Sequence, residues 1–258
     1  MKTKRIGISV LLSAFVLLAA TSCQENDNQP QGTAAVVFRA ANTATGVAAL
    51  KNAPASGVVI ESFKINVREI ELEMDDDDND GVNNGARHSD EIELNGPFEI
   101  DLVSNGTPLA ATITNNANLP VGMYEEIEFE FNRNNNPQSV LYQKSILVTG
   151  TINGTPFIFH TNEEFEVEIE FENSISLADA QLSTIAISFN LAALFNPGQG
   201  GVDITGARDL NADGTILINY YDTTDRNNNL ADLLEDRIDH IIYSFEDEDN
   251  DGDDEDDD

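Results

Sequence analysis

The sequence predicts a mainly β protein: an antiparallel Greek-key β-sandwich with one C-terminal amphipathic helix and a disordered acidic tail. Apolar and polar residues alternate with a period of two in many short segments, which is typical of half-buried antiparallel strands. Turn dipeptides separate these segments, as in sandwiches and barrels. Near the C-terminus, apolar residues recur instead at three- and four-residue steps, and an acidic run follows.

Residues 1–22 have the pattern of a secretory signal peptide: a basic start, an apolar run over residues 6–20 and small residues before Cys23. The run is short for a membrane span, which needs about 20 apolar residues. Cys23 is the only cysteine, so it has no internal disulfide partner. The segment resembles the lipobox of bacterial lipoproteins, which implies that Cys23 carries a lipid. The alternative is an ordinary signal peptide followed by a coincidental cysteine.

Residues 23–32 are polar and lack large apolar side chains, so we expect a flexible tether. Glu25 and Asp27 resemble the acidic signal that sends lipoproteins to the outer face in Bacteroidota. We therefore expect a cell-envelope protein held in the outer membrane by its lipid, on either the periplasmic or the surface face.

Residues 33–245 are expected to form the sandwich and its helix. The segment 58–74 changes the parity of its apolar residues midway, which predicts a bulge or a bend between sheets. The other predicted strands are 35–38, 91–94, 98–102, 126–131, 140–152, 156–160, 164–172 and 184–190.

Asn-Gly pairs mark the predicted turns. Asn153-Gly154 lies between two predicted strands and is a strong hairpin signal. Asn105-Gly106 and Asn95-Gly96 are also interpreted as turns.

The C-terminal helix is predicted from one apolar stripe, and Asn227–Asn229 offer a cap before it. We expect the stripe to pack on the sandwich, with binding of a partner as the alternative. The stripe comprises Leu230, Leu233, Leu234, Ile238, Ile241, Ile242 and Phe245. Residues 246–258 hold 11 acids in 13 positions and are expected to be solvated and disordered.

Three segments together carry a family resemblance: Val58–Leu72, the run Phe98–Val103, and Leu119-Pro120-Val121-Gly122-Met123-Tyr124 at the start of a strand. They resemble a domain family of unknown function in bacterial lipoproteins of the Bacteroidota type, over roughly residues 33–195. The resemblance implies a prealbumin-like or carbohydrate-binding-like β-sandwich. No activity is assigned to that family, so the resemblance implies no functional residue.

Charge limits the partners that the protein can have. The chain has 47 acidic and 13 basic residues and a formal net charge of −34. Nucleic acid is excluded as a direct partner, because phosphate binding needs a basic surface. A cationic or protein partner is favoured, and the membrane is expected to be reached through the lipid anchor. A carbohydrate ligand stays open, although the chain has no tryptophan for a sugar platform.

Three stretches match the opening of a calcium loop, with acidic or amide oxygens at alternate positions followed by glycine. Their side chains are Asp76, Asp78 and Asp80; Asp209, Asn211 and Asp213; and Asp247, Asp249 and Asp251. Each offers half of the six to eight oxygens that Ca²⁺ takes. A standard EF-hand needs an acid at the twelfth position. Arg87 and Tyr220 occupy it in the first two stretches, and in the third it falls on Asp258, the last residue of the sequence, so none matches a standard EF-hand. The alternatives are a solvated loop at 76–81, an Asx turn at 209–214 and a solubilising tail.

Glutamates alternate with apolar residues in 126–131 and 164–172. If these strands are neighbours, like charges stand roughly 5 Å apart and repel one another. Bound cations would relieve the repulsion. The alternative is a solvated face that keeps the protein soluble.

No catalytic residue is predicted. His88, His160 and His240 lack metal-ligand spacing, and no phosphate loop or nucleophile elbow is present. We therefore expect a lipid-anchored, non-catalytic binding or structural module, stabilised by calcium. The alternatives are an adhesin or pilus-like subunit that exchanges a strand, and a carbohydrate-active hydrolase.

Overall fold

The structure is a computed structural model that describes residues 31–41, 57–74, 91–177 and 182–246. Several predicted features lie outside the described residues: the signal peptide, Cys23, the tether up to residue 30, the aspartate stretches at 76–80 and 247–251, and the acidic tail from residue 247.

The described chain is mainly β, as the sequence predicts. The strands are β1 (Gln31–Ala41), β2 (Val58–Met74), β3 (Glu91–Ser104), β4 (Thr107–Pro108), β5 (Ala110–Pro120), β6 (Gly122–Phe131), β7 (Ile146–Ile152), β8 (Thr155–Thr161), β9 (Phe165–Leu177), β10 (Leu182–Asn190), β11 (Ile216–Ile218) and β12 (Ile242–Glu246). The helices are α1 (Leu191–Leu194) and α2 (Asn228–Ile238), with 3₁₀ turns at Pro197–Gln199 and Asp239–Ile241.

Two sheets pack around one apolar core. The first has the strand order β12-β10-β1-β5; the second has the order β11-β8-β7-β2-β3-β4, with β6 beside β2 and β9 beside β6. The pairs β1–β10 and β8–β11 are parallel, so both sheets are mixed, although the sequence predicts antiparallel pairing. At the centre of the core, the ring of Phe38 from the first sheet lies 5.2 Å from Phe129 of the second and 5.9 Å from Phe189.

The predicted parity change in β2 is confirmed as a bulge. Residues 58–65 pair with β7 and residues 67–74 pair with β6 on the same edge of β2, and the register shifts after Val67. Ile65, Asn66 and Val67 are all buried at this junction. The amide group of Asn66 donates to Asn132 O (2.8 Å) and accepts from Asn134 Nδ2 (2.9 Å), so a buried polar side chain joins the strand ends.

Two of the three predicted Asn-Gly turns are confirmed. Asn153 and Gly154 have φ angles of 52° and 84° between β7 and β8, and Asn105 and Gly106 have φ angles of 50° and 71° after β3. Positive φ at both positions suits Asn-Gly. The predicted turn at Asn95-Gly96 is wrong, because both residues lie inside β3 next to a register shift in its pairing with β2.

Other strand bounds differ from the prediction. The segments 91–94 and 98–102 form the single strand β3, and the predicted strand 140–152 begins only at Ile146. β5 and β11 are not among the predicted strands. β1 begins at Gln31, inside the predicted tether, and β12 ends at Glu246, the first residue of the predicted tail.

The C-terminal helix is shorter than predicted. α2 ends at Ile238, and Ile242 begins β12, which pairs antiparallel with β10. Main-chain hydrogen bonds to the edge of β10 stabilise residues 242–246 as a strand, although the spacing of their apolar residues is helical. Ala231, Leu234 and Ile238 are buried beside β8 and β11, which confirms packing on the sandwich. Leu233, by contrast, is 52% exposed.

Candidate functional site

The structure brings Asp209, Asn211 and Asp213 together in one tight turn between α1 and β11. The two carboxylate oxygens of Asp209 accept from the backbone N–H groups of Asp213 (3.2 Å) and Gly214 (2.9 Å). Asn211 Oδ1 accepts from Asp213 N (2.8 Å), and Asp213 Oδ1 accepts from Thr215 N (2.9 Å). Gly214 has a φ of 90°, which favours glycine. These bonds make the segment an Asx-type turn, the alternative that the sequence leaves open.

Two buried side chains, Asp225 and Asn227, hydrogen-bond to the backbone of this turn and of the residues next to it. Asp225 is 1% exposed, and its carboxylate accepts from Leu210 N (3.0 Å), Asn211 N (3.2 Å) and Leu217 N (2.8 Å).

Asn227 completes the support. Its amide group binds both backbone groups of Arg208, at 3.1 Å and 2.9 Å, and donates to Leu217 O (2.8 Å). The two ends of the turn are therefore fixed to the segment that precedes α2.

Asp225 and Asn227 are functional candidates that the sequence reasoning missed. The sequence indicates Asn227 only as part of a helix cap, but these bonds of its side chain go to the turn. The signal that could have found both is the density of Asp and Asn over 219–228, because such side chains readily bond to nearby backbone.

A second candidate site is the glutamate face, the solvent side of β3, β2, β6 and β9. The two glutamate strands, whose adjacency the sequence leaves open, are neighbours, because β6 pairs with β9, and the array extends to two more strands. Its three transverse rows are Glu91, Glu73, Glu126 and Glu170; Glu93, Glu71, Glu128 and Glu168; and Asn95, Glu69, Glu130 and Glu166. Directly opposed residues lie about 5 Å apart, so like charges repel along each row.

Arg68 supplies positive charge to this face at one end. It lies at the bulge in β2, and its guanidinium contacts Glu69 Oε2 at 3.0 Å and also pairs with Glu130. Both of these ion pairs reach the glutamate face.

Burial raises the pKa of three glutamates at the middle of the face. Burial raises the pKa of Glu71 to about 7, and a hydrogen bond to Glu91 and nearby negative charges add to the effect. Burial likewise raises the pKa of Glu128 to about 7, with a hydrogen bond to Glu166 and neighbouring charges contributing. The pKa of Glu126 is also raised, by burial first and by opposing glutamates second.

The spacing on this face is compatible with a metal but does not assign one. Oxygen atoms of Glu69, Glu71 and Glu93 lie within 4.8 Å of one another, as do those of a second triplet on β6 and β9. The second triplet is Glu126, Glu168 and Glu170. A shallow groove between β3 and β6 is lined by glutamates alone, unlike the largely apolar pockets that hold organic ligands.

The two histidines in the described part of the chain, His160 and His240, lie on different elements. His160 on β8 contacts Asn219 Nδ2 through Nδ1 at 3.2 Å, and burial, followed by the charge of Lys144, lowers its pKa. His240 lies in the 3₁₀ turn after α2, and His88 lies outside the described residues.

Comparison of the chain with protein-family models, with curated proteins and with solved structures found no match. Within the described ranges, neither helix has the length and apolar character needed to cross a membrane.

Proposed function

We propose that the chain is a lipid-anchored lipoprotein of the cell envelope whose β domain is a non-catalytic binding or structural module stabilised by calcium. The anchor rests on Cys23 and the residues before it. The calcium part rests on the turn at 209–214, which is the observation that carries the proposal. It gathers three oxygen-bearing side chains at the spacing that calcium loops use.

The hydrogen bonds that fix the backbone of the turn favour the binding of a calcium ion. Because Asp225 and Asn227 already fix its backbone, little ordering entropy is lost when an ion binds. Backbone carbonyls and water complete the coordination that Ca²⁺ needs beyond the three side chains. The strongly negative net charge raises the local concentration of cations.

Calorimetric melting of the full chain in calcium and in chelator tests this proposal. Saturating calcium is expected to raise the melting midpoint by about 5 °C or more. Asp213→Asn removes one charged ligand and should lose most of that rise. Asp203→Asn is the matched control, because Asp203 accepts from Thr205 in a similar but isolated Asx turn and its variant should respond like the wild type.

Equal midpoints of the wild type in calcium and in chelator would remove calcium from the proposal. A full response in Asp213→Asn would place the ion elsewhere on the chain. Both results leave the anchor untouched, because it rests on Cys23 and is tested by the modification of that residue.

A further inference from the structure

β9 lies at an edge of the second sheet. It pairs antiparallel with β6, and within the described residues no strand pairs with its other side. In an antiparallel strand, alternate residues direct their backbone N–H and C=O groups to opposite sides. Half of these groups in residues 165–171 therefore point away from β6, and this side of the segment is called the β9 edge. Such an edge is a template for a further strand.

The apolar side of the β9 edge is incompletely covered. Ile127 and Phe131 on β6 are 0% exposed, whereas the residues opposite them on β9, Ile169 and Phe165, are only half-buried. The ring of Phe165 remains half-buried although it stacks on Phe131 at 4.5 Å. Val167 between them is buried. A further strand with apolar residues on its core side would cover the surface that β9 leaves open.

The solvent side of the same segment determines which strand fits. Glu166, Glu168 and Glu170 are all exposed and alternate with the apolar residues. A strand beside β9 would place its own outward side chains about 5 Å from these carboxylates, where opposite charges attract and like charges repel. The β9 edge therefore favours a strand that has lysine or arginine on its outward side.

A second copy of β9 does not fit this edge. If two β9 strands paired antiparallel with their apolar sides facing the same way, the glutamates of one copy would stand opposite those of the other. The like-charged rows that already join β6 to β9 would then extend over two more strands. The net charge of −34 adds repulsion between copies and attracts a basic partner instead.

We propose that the β9 edge is a docking site for an extended segment of another protein, in which apolar residues alternate with lysine or arginine. The segment adds as a strand beside β9, so main-chain hydrogen bonds provide affinity and the alternating side chains provide specificity. This inference deepens the proposed function and rests on it, because it names the partner of the binding module. It requires neither the calcium turn nor the lipid.

Fluorescence anisotropy of the full chain, in chelator and at physiological salt, tests the docking site with two labelled probes. The first probe is a peptide that alternates four lysines with three valines, and its length matches residues 165–171, about 23 Å of extended chain. The second has the same composition, but its four lysines are adjacent, so it carries the same charge without the alternation. The alternating probe is expected to bind at least about tenfold more tightly than the second probe.

Two charge reversals on the same face locate the interaction. Glu168→Lys acts at the centre of the β9 edge and should weaken binding of the alternating probe about tenfold. Glu93→Lys is the matched control, because it makes the same charge change at an exposed position of the glutamate face, but on β3, three strands from β9. It should change the affinity less than about twofold, because salt screens a charge at that distance.

Amide hydrogen exchange measured by mass spectrometry reports where the probe lies. The alternating probe is expected to slow exchange about threefold or more in peptides from β9. Peptides from β5, which lies at an edge of the first sheet, should be unchanged.

Equal affinities of the two probes would overturn the proposal, as would equal losses in Glu168→Lys and Glu93→Lys or slower exchange in a strand other than β9. A dimer that protects β9 without any probe would assign the edge to a second copy and would also overturn it. None of these results affects the calcium-dependent melting or the modification of Cys23, so failure of this inference is distinguishable from failure of the proposed function.

Discussion

Asp225 shows how this protein accommodates a charged residue in its interior. A buried carboxylate is costly unless hydrogen bonds replace its water. The Asp225 carboxylate accepts from three backbone N–H groups, those of Leu210 and Asn211 inside the 209–214 turn and that of Leu217 after it. One side chain thus takes the place of a strand partner for a segment that has no regular secondary structure.

Asp225→Ala should therefore destabilise the protein strongly. Three backbone N–H groups would lose their acceptor, and we expect a loss of about 3 kcal/mol or more in the free energy of unfolding, measured by urea denaturation. Asp232→Ala, at an exposed position of α2, is the control and should change stability little. Similar losses in the two variants would mean that the three bonds contribute little.

At the scale of elements, β7 lies so close to β2 and β8 in the second sheet that one position on it requires glycine. Gly150 pairs with Ile60 on β2 and with Phe157 on β8. A Cβ placed on Gly150 would lie 1.9 Å from Val59 O and 3.0 Å from the ring of Phe157. The two strands can therefore keep their spacing from β7 only if this residue has no side chain.

Gly150→Ala is accordingly expected to cost about 1–3 kcal/mol, because β2 or β7 must shift to admit the methyl group. Gly206→Ala is the matched control, since a Cβ there has no atom within 4 Å. Urea denaturation of both variants gives the comparison. A Gly150→Ala variant as stable as Gly206→Ala would show that the strands separate without cost.

The whole molecule combines an apolar core with a surface that repels itself. The formal net charge is −34, and in the second sheet the acids are concentrated on one face. Such a charge opposes adsorption to anionic lipid headgroups. The proposed attachment through a lipid on Cys23 does not depend on such adsorption.

Cys23→Ser should release the protein from the membrane fraction of its native host, because several acyl chains are needed for stable anchoring. Fractionation followed by intact-mass measurement checks both the location and the modification. Cys23 is the sole thiol of the chain, so a mass increase that is lost in Cys23→Ser reports on this one site. Wild-type protein with an unmodified Cys23 would contradict the anchor.

Features encoded within a few neighbouring residues were predictable from the sequence. The period-two alternation located β2 and most other long strands, its parity change located the bulge at Arg68, and Asn-Gly located two turns. The Asp209 turn was also recognisable, because its bonds join residues at most five positions apart.

Pairing between distant segments was decided only by the tertiary structure. Three features depend on which distant segment lies alongside: the parallel pair β1–β10, the end of α2 at Ile238 and the hydrogen bonds of Asp225. The alternation of apolar and polar residues does not specify that partner segment. The glutamate face belongs to both levels. The sequence by itself determined that glutamates line one side of each strand, whereas the register of four strands decided that they stand opposite one another.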